Sequence, residues 1–148
     1  MQLSDCRIVL TGASGGIGQA LVETLCASGA QLLLVGRHAD ALEKLASSYP
    51  GKVSVVVADI VERSGRDAVQ AAARSFGGVN LLINAAGQNR FSLLEQHDED
   101  AMAALINLNV TATLQLTQRL LPLLMQQGRA MVVNIGSTFG SIGYPGFA

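Results

Sequence analysis

Cysteine is scarce in this sequence: Cys6 and Cys26 are the only two in 148 residues, too few for a disulfide framework. Charge is sparse as well. Only 14% of residues are charged and the net charge is −1, so neither nucleic acid nor an acidic membrane surface is an expected partner. No apolar run approaches the ~18 residues a membrane span requires, and no charged-then-apolar leader precedes the first apolar run. These absences set the expectation of a soluble chain in a reducing, cytoplasmic setting. Lysine is confined to Lys44 and Lys52. What the chain does have is apolar character, at 49% of residues, and a length that fits one domain over 1–148. A chain of this size buries roughly two-thirds of its unfolded surface.

The most informative stretch is Arg7 to Gly18, RIVLTGASGGIG. Ile8, Val9 and Leu10 form a short uncharged apolar run, the pattern of a strand buried on both faces of a parallel sheet. Thr11, Gly12, Ala13, Ser14, Gly15, Gly16, Ile17 and Gly18 then make a glycine-dense turn into a helix that carries Ile17, Leu21 and Leu25 on one face. Residues without a side chain at a helix start let backbone N–H groups approach an anion, and the positive end of the helix favours a pyrophosphate. A dinucleotide is the expected guest. The glycine spacing is TGxxxGxG, not the general G-x-G-x-x-G.

Alternating strand and helix patterns continue. Gln31 to Val35 reads as a second strand and Val53 to Ala58 as a third, with a helix between them bearing Leu42, Leu45, Ala46 and Tyr49 on one face. Asp40 and Glu43 at its start have the spacing of a capping box. His38 beside them has no second ligand at a metal-binding spacing and reads as a solvated loop histidine. The next helix shows Val69, Ala72, Ala73 and Phe76 on its apolar stripe, so Arg63, Arg66, Asp67 and Arg74 read as a solvated face. Leu81 to Ile83 is the fourth strand, followed by Asn84, Ala85, Ala86 and Gly87.

An apolar strand ending in NAAG downstream of TGxxxGxG resembles the short-chain dehydrogenase/reductase family, and the resemblance covers essentially the whole chain. It implies a Rossmann-type doubly wound parallel sheet of about five strands in the order 3-2-1-4-5, incomplete at its C-terminal side. The implied activity is hydride transfer between a nicotinamide cofactor and a carbonyl or alcohol substrate. The implied cofactor-binding residues are Thr11, Gly12, Ser14, Gly15, Gly16, Ile17 and Gly18 in the first turn and Asn84, Ala85, Ala86 and Gly87 after the fourth strand. Asp59 and the backbone of Ile60 are expected at the adenine. Just past the second strand, where an acid would bind the ribose 2′-hydroxyl of NAD, stand Gly36 and Arg37. A guanidinium there suits a 2′-phosphate and favours NADP over NAD, although Gly15 stands where many NADP-dependent relatives carry a second basic residue.

His97, Asp98, Glu99 and Asp100 open a further helix, and acids in a first turn are explained by the helix dipole. The segment from Ala101 to Gln127 is uncharged as far as Gln118, and its apolar residues cover more than one face. The resemblance places a subunit interface on this helix, so a homo-oligomer through 101–127 is expected. Asn109 matches the family asparagine that kinks this helix and holds a proton-relay water; Asn107 is the alternative. Ala130 to Ile135 is the fifth strand, and Ser137 after it matches the family serine that hydrogen-bonds the substrate carbonyl, with Ser141 as runner-up.

The family's general acid/base tyrosine and its lysine, YxxxK, fall beyond Ala148 when counted from Ser137. Tyr144 is too close to Ser137 to substitute, and the residue four places after it is Ala148 rather than lysine. The expectation is therefore an oxidoreductase by family whose 148 residues alone are inactive. The alternative is a non-catalytic dinucleotide-binding or assembly module. A methyltransferase shares the fold, but its adenosine cofactor calls for an acid ending the second strand, where Gly36 stands.

Overall fold

The computed structural model describes residues 1–143 and Gly146. Five parallel strands form one sheet in the order β3-β2-β1-β4-β5: β1 Arg7–Thr11, β2 Gln31–Gly36, β3 Val53–Val57, β4 Leu81–Asn84 and β5 Met131–Asn134. The expected strand order is the one observed. Between the strands run α1 Gly16–Ala27, α2 Ala39–Ser47 and α3 Arg63–Ser75, and a long helical passage joins β4 to β5.

The period of two along the strands explains the layering. Ile8 and Leu10 of β1, with Leu32 and Leu34 of β2, turn to one face and pack with Val22, Leu25 and Cys26 of α1 and Leu42 of α2. Val9, Leu33, Val35 and Leu82 turn to the other and meet Val69 and Ala73 of α3 and a row of leucines from the long passage. Helices thus change faces between β1 and β4, and ligands of such sheets sit at that crevice, beyond the carboxyl ends of the strands. Cys6 and Cys26 are buried free thiols. Burial pushes both upward from the ordinary thiol range, reinforced at Cys6 by Asp5 and partly offset at Cys26 by Lys52, which keeps them protonated and unreactive.

Three sequence expectations change. The segment expected as one helix over 101–127 is α4 Glu99–Ile106, a π-helical stretch Asn107–Ala112, and α5 Thr113–Met125, whose Leu116, Leu120 and Leu124 are buried. The acid-rich start is a true cap: Asp98 Oδ1 accepts from the Ala101 N–H at 2.7 Å. The capping box at α2 does not form, because the helix starts at Ala39 and His38 occupies the N-cap with no side-chain bond. Asp40 therefore lies inside the first turn, where its charge still suits the helix dipole.

Arg66 is the third correction. It does not belong to a solvated face; it is 7% exposed, and its Nη1 donates to the carbonyls of Ile60 and Val61 at 2.6 Å each. The loop after β3 leaves those carbonyls under the protein surface, and the guanidinium satisfies them. Asp67 pairs with Arg119 of α5. Removing a charged donor from buried acceptors costs ~1.5–3 kcal/mol, whereas exposed substitutions usually stay within about 0.5 kcal/mol. Arg66→Met should lower the urea midpoint accordingly while Arg74→Met, at an exposed position of the same helix, leaves it in place; equal effects would return Arg66 to the solvated face.

Candidate functional site

The site begins with a contact between two loops. Thr11, the last residue of β1, is buried, and its Oγ1 accepts the N–H groups of Ala85 at 3.2 Å and Ala86 at 3.1 Å. One hydroxyl thereby ties the loop after β4 to the end of β1. The next residue, Gly12, has φ +68 and donates its N–H to the Val35 carbonyl at 3.0 Å. A Cβ on Gly12 would lie 2.6 Å from the Ala85 carbonyl oxygen, and one on Gly18 would lie 2.2 Å from the Gly12 carbonyl oxygen. Both glycines are therefore demanded by backbone-to-backbone approach. Gly15 is the N-cap of α1 and offers no side-chain cap, so the opening amides of this helix have no side-chain acceptor.

A cleft of about 350 Å³ opens over this platform. Thr11, Gly12, Ser14 and Gly15 form one side, Gly36 and Arg37 a second, Asp59 and Ile60 a third, and Ala85, Ala86 and Gly87 the floor toward β4. Ten of the expected cofactor residues thus come together. Gly16, Ile17 and Gly18 lie just behind, in the first turn of α1, with Ile17 exposed. Asn84 turns elsewhere: it is buried, and its Nδ2 donates to Thr117 Oγ1 at 3.1 Å and Asn134 Oδ1 at 2.8 Å, joining β4 to α5 and β5.

Asn109 lies within the π-helical stretch, as expected of a kinking residue, but its carboxamide is engaged at both ends. Oδ1 accepts the Gln88 N–H at 3.0 Å and Nδ2 donates to the Gln88 carbonyl at 2.8 Å. It fixes the loop after Gly87. Ser137 follows β5 at the same edge of the sheet, in an exposed segment outside the cleft lining. Tyr144 lies outside the described residues.

Sequence reading missed three contributors. Leu108 reaches the cleft from the π-helical stretch, a position invisible while the passage is taken as one regular helix. Gly65 passes so close to Asp59 that a Cβ would lie 1.9 Å from its carbonyl oxygen; a glycine in the first turn of α3 was the available signal. His38 also lines the cleft and is exposed.

This arrangement defines a Rossmann-type chain with its crevice at the switch point of the sheet. Residues 7–148 match the family model described as short chain dehydrogenase, and the chain belongs to that family. An uncharacterized oxidoreductase of Staphylococcus aureus (strain N315) is 34% identical over 140 residues, covering 93% of this chain and 61% of the relative. Another, from Staphylococcus epidermidis (strain ATCC 12228 / FDA PCI 1200), is 33% identical over 133 residues, covering 89% and 58%. The chain thus spans about 60% of the length of these curated relatives. Among solved structures, the 3-ketoacyl-(acyl-carrier-protein) reductase of Brucella melitensis complexed with NADH superposes with a TM-score of 0.91 at 25% identity, over 98% of this chain and 62% of that one. NAD⁺-bound xylitol dehydrogenase gives 0.88 at 27% identity, over 96% and 56%.

The two glycines bracketing the turn separate packing from spacing. Gly12→Ala forces a left-handed backbone on a residue with a Cβ and drives that Cβ into Ala85, so the melting temperature should fall by several degrees, with ~1–3 kcal/mol lost. Gly16→Ala meets nothing within 4 Å and should leave the melting curve unchanged. Comparable losses at the two positions would mean that the loop contact does not hold the platform.

Proposed function

We propose that the cleft binds NADP(H) and that the chain belongs to an oxidoreductase moving hydride between the nicotinamide and a carbonyl or alcohol substrate. The observation that carries this reading is the convergence of the glycine turn, Arg37, Asp59 and Ala85–Gly87 on one cleft. The cradle fits the group: Gly12, Ser14 and Gly15 line the cleft, and the opening amides of α1 behind them have no side-chain acceptor, so backbone N–H groups are left for an anion. When bound, the dinucleotide supplies the hydride. The opening amides of α1 would hold its phosphates, Asp59 and the Ile60 backbone its adenine, and Arg37 its 2′-phosphate. The structural neighbours bound to NADH and NAD⁺ support a nicotinamide dinucleotide as guest; the preference for the phosphorylated form rests on Arg37.

At the reacting end, Ser137 would donate its hydroxyl to the substrate oxygen and stabilise developing negative charge. Asn109 would hold the loop at Gln88 against the helix beside it. Loss of a positioned general acid or base typically lowers the rate ~10²- to 10⁴-fold. Residues 1–148, without the family's tyrosine and lysine, would therefore bind cofactor while turning over little or no substrate. The buried free cysteines fit a reducing compartment such as the cytoplasm, and among the described residues no helix is long and apolar enough to cross a membrane.

Copies of the chain would meet through the long helical passage. Ile106, Val110, Leu114, Leu121 and Met125 are exposed apolar residues along it, beside the buried Leu116, Leu120 and Leu124. Leu114 is 64% exposed, so Leu114→Glu should leave the melting curve intact and halve or further reduce the particle mass in light scattering. A mass equal to one chain before the substitution would refute the interface.

The cofactor assignment is tested by nicotinamide fluorescence titration. A charge-assisted bond is worth ~1.5–3 kcal/mol, so Arg37→Ala should weaken NADPH binding roughly 10- to 100-fold and leave NADH nearly unchanged. A parallel loss of both cofactors would move Arg37 from the 2′-phosphate to a general supporting role.

A further inference from the structure

Arg37 follows β2 and Asp59 follows β3, and both line the cleft. Arg37 Nη1 lies 3.9 Å from Asp59 Oδ2. The two partners differ in how firmly they are held. Asp59 Oδ1 accepts the Val61 N–H at 2.9 Å, its carbonyl accepts the Glu62 N–H at 3.2 Å, and Gly65 packs directly on that carbonyl. Arg37, with its side chain 60% exposed against 36% for Asp59, is the freer arm. The carboxylate is thus a fixed anion, and the guanidinium leans toward it.

We infer that Asp59 is a positioning residue for cofactor choice: by engaging Arg37 across the cleft it lowers the preference for a 2′-phosphate over a 2′-hydroxyl. This rests on the assignment of Arg37 to the 2′-phosphate. A phosphate entering the cleft finds its cation already partly neutralised, and it meets a second negative charge beside that cation. A ribose carrying only a hydroxyl encounters neither penalty. The chain is therefore tuned toward accepting both cofactors. An ion pair this exposed is a weak one, so the device shifts a ratio rather than acting as an all-or-none gate.

The experiment measures NADPH and NADH dissociation constants for the 148-residue chain, Asp59→Asn, Arg37→Ala and the double variant. Asparagine keeps an oxygen for the Val61 N–H, and Asp59→Ser, whose hydroxyl can close the same turn, is the second neutral variant. Using the ratio of the two cofactors cancels any adenine contact that Asp59 makes, since both carry the same adenine. The expected result is a rise of about 2- to 5-fold in the NADPH-to-NADH affinity ratio for either neutral variant, shrinking to under about 2-fold when Arg37 is already alanine. Asp59→Glu, which retains the charge, should not raise the ratio. If Arg37→Ala lowers the ratio but neither neutral variant raises it, the inference is overturned and the 2′-phosphate reading stands. If Arg37→Ala leaves the ratio unchanged, that reading fails and takes the inference with it. Binding of neither cofactor by the unsubstituted chain would overturn the reading of the cleft and the inference together.

Discussion

Two loops meet at the carboxyl end of β1, and the rest of the site depends on that meeting. Thr11 supplies a single buried hydroxyl to two backbone amides, at Ala85 and Ala86. Gly12 allows the chains to touch where any Cβ would collide. The Gly12 contact is between backbone atoms and the Thr11 hydroxyl ends on backbone amides, and the positions of these groups follow from the pairing of β1 with β4 in register. The sheet thereby sets the distance between the glycine turn and the Ala85–Gly87 loop directly. A cleft made this way is preorganised, since little ordering entropy remains to be spent when a ligand arrives.

The second layer of support runs behind the first. Asn109 clamps Gln88 through both ends of its carboxamide, and it does so from a π-helical stretch. A π-bulge inserts an extra residue into the helical ladder and redirects the side chains around it. Here it accompanies the turning of Asn109 onto the loop and of Leu108 into the cleft. Asn84 performs the matching task on the sheet side, bonding Thr117 and Asn134. Polar groups in the NAAG and NLNVTA stretches thus act chiefly on the protein itself, and it is their geometry that leaves the neighbouring small residues open to a ligand.

What could be read in advance follows from this division. β1, β2 and β4 are apolar runs because both faces are covered, so periodicity and glycine spacing suffice to place them, whereas the order of the sheet is what the family resemblance implies. The Gly18 demand is local, arising from Gly12 and Ala13, whereas that of Gly12 arises from Ala85 on the neighbouring loop, and both appear in TGxxxGxG. Arg66 could not be read in the same way. Its burial answers to two carbonyls in the loop after β3, and helical periodicity places a residue on a face without saying what that face meets. The same holds for Gly65, whose need for a bare Cα arises from Asp59. The break at Asn107–Ala112 escapes because a π-helical stretch retains helical composition. At α2, composition supplied a capping pair and backbone geometry placed His38 at the cap instead.

Electrostatics in the cleft illustrate why a motif residue is an incomplete description of selectivity. Arg37 alone, read by position, argues for a phosphorylated cofactor. Set 3.9 Å from a carboxylate, the same guanidinium presents a weaker field to an incoming anion, because part of its attraction is satisfied before binding. The magnitude is small at an exposed site, yet discrimination between two cofactors that differ by one phosphate is itself a difference of affinities, and small terms enter it undiluted. The opposing term comes from a residue whose position is fixed for other reasons: Asp59 closes the turn to Val61 and receives the packing of Gly65. If the inference holds, fold maintenance and cofactor choice would share one carboxylate. On the proposed reading, the arginine would give such a cleft its preference and the carboxylate would moderate it.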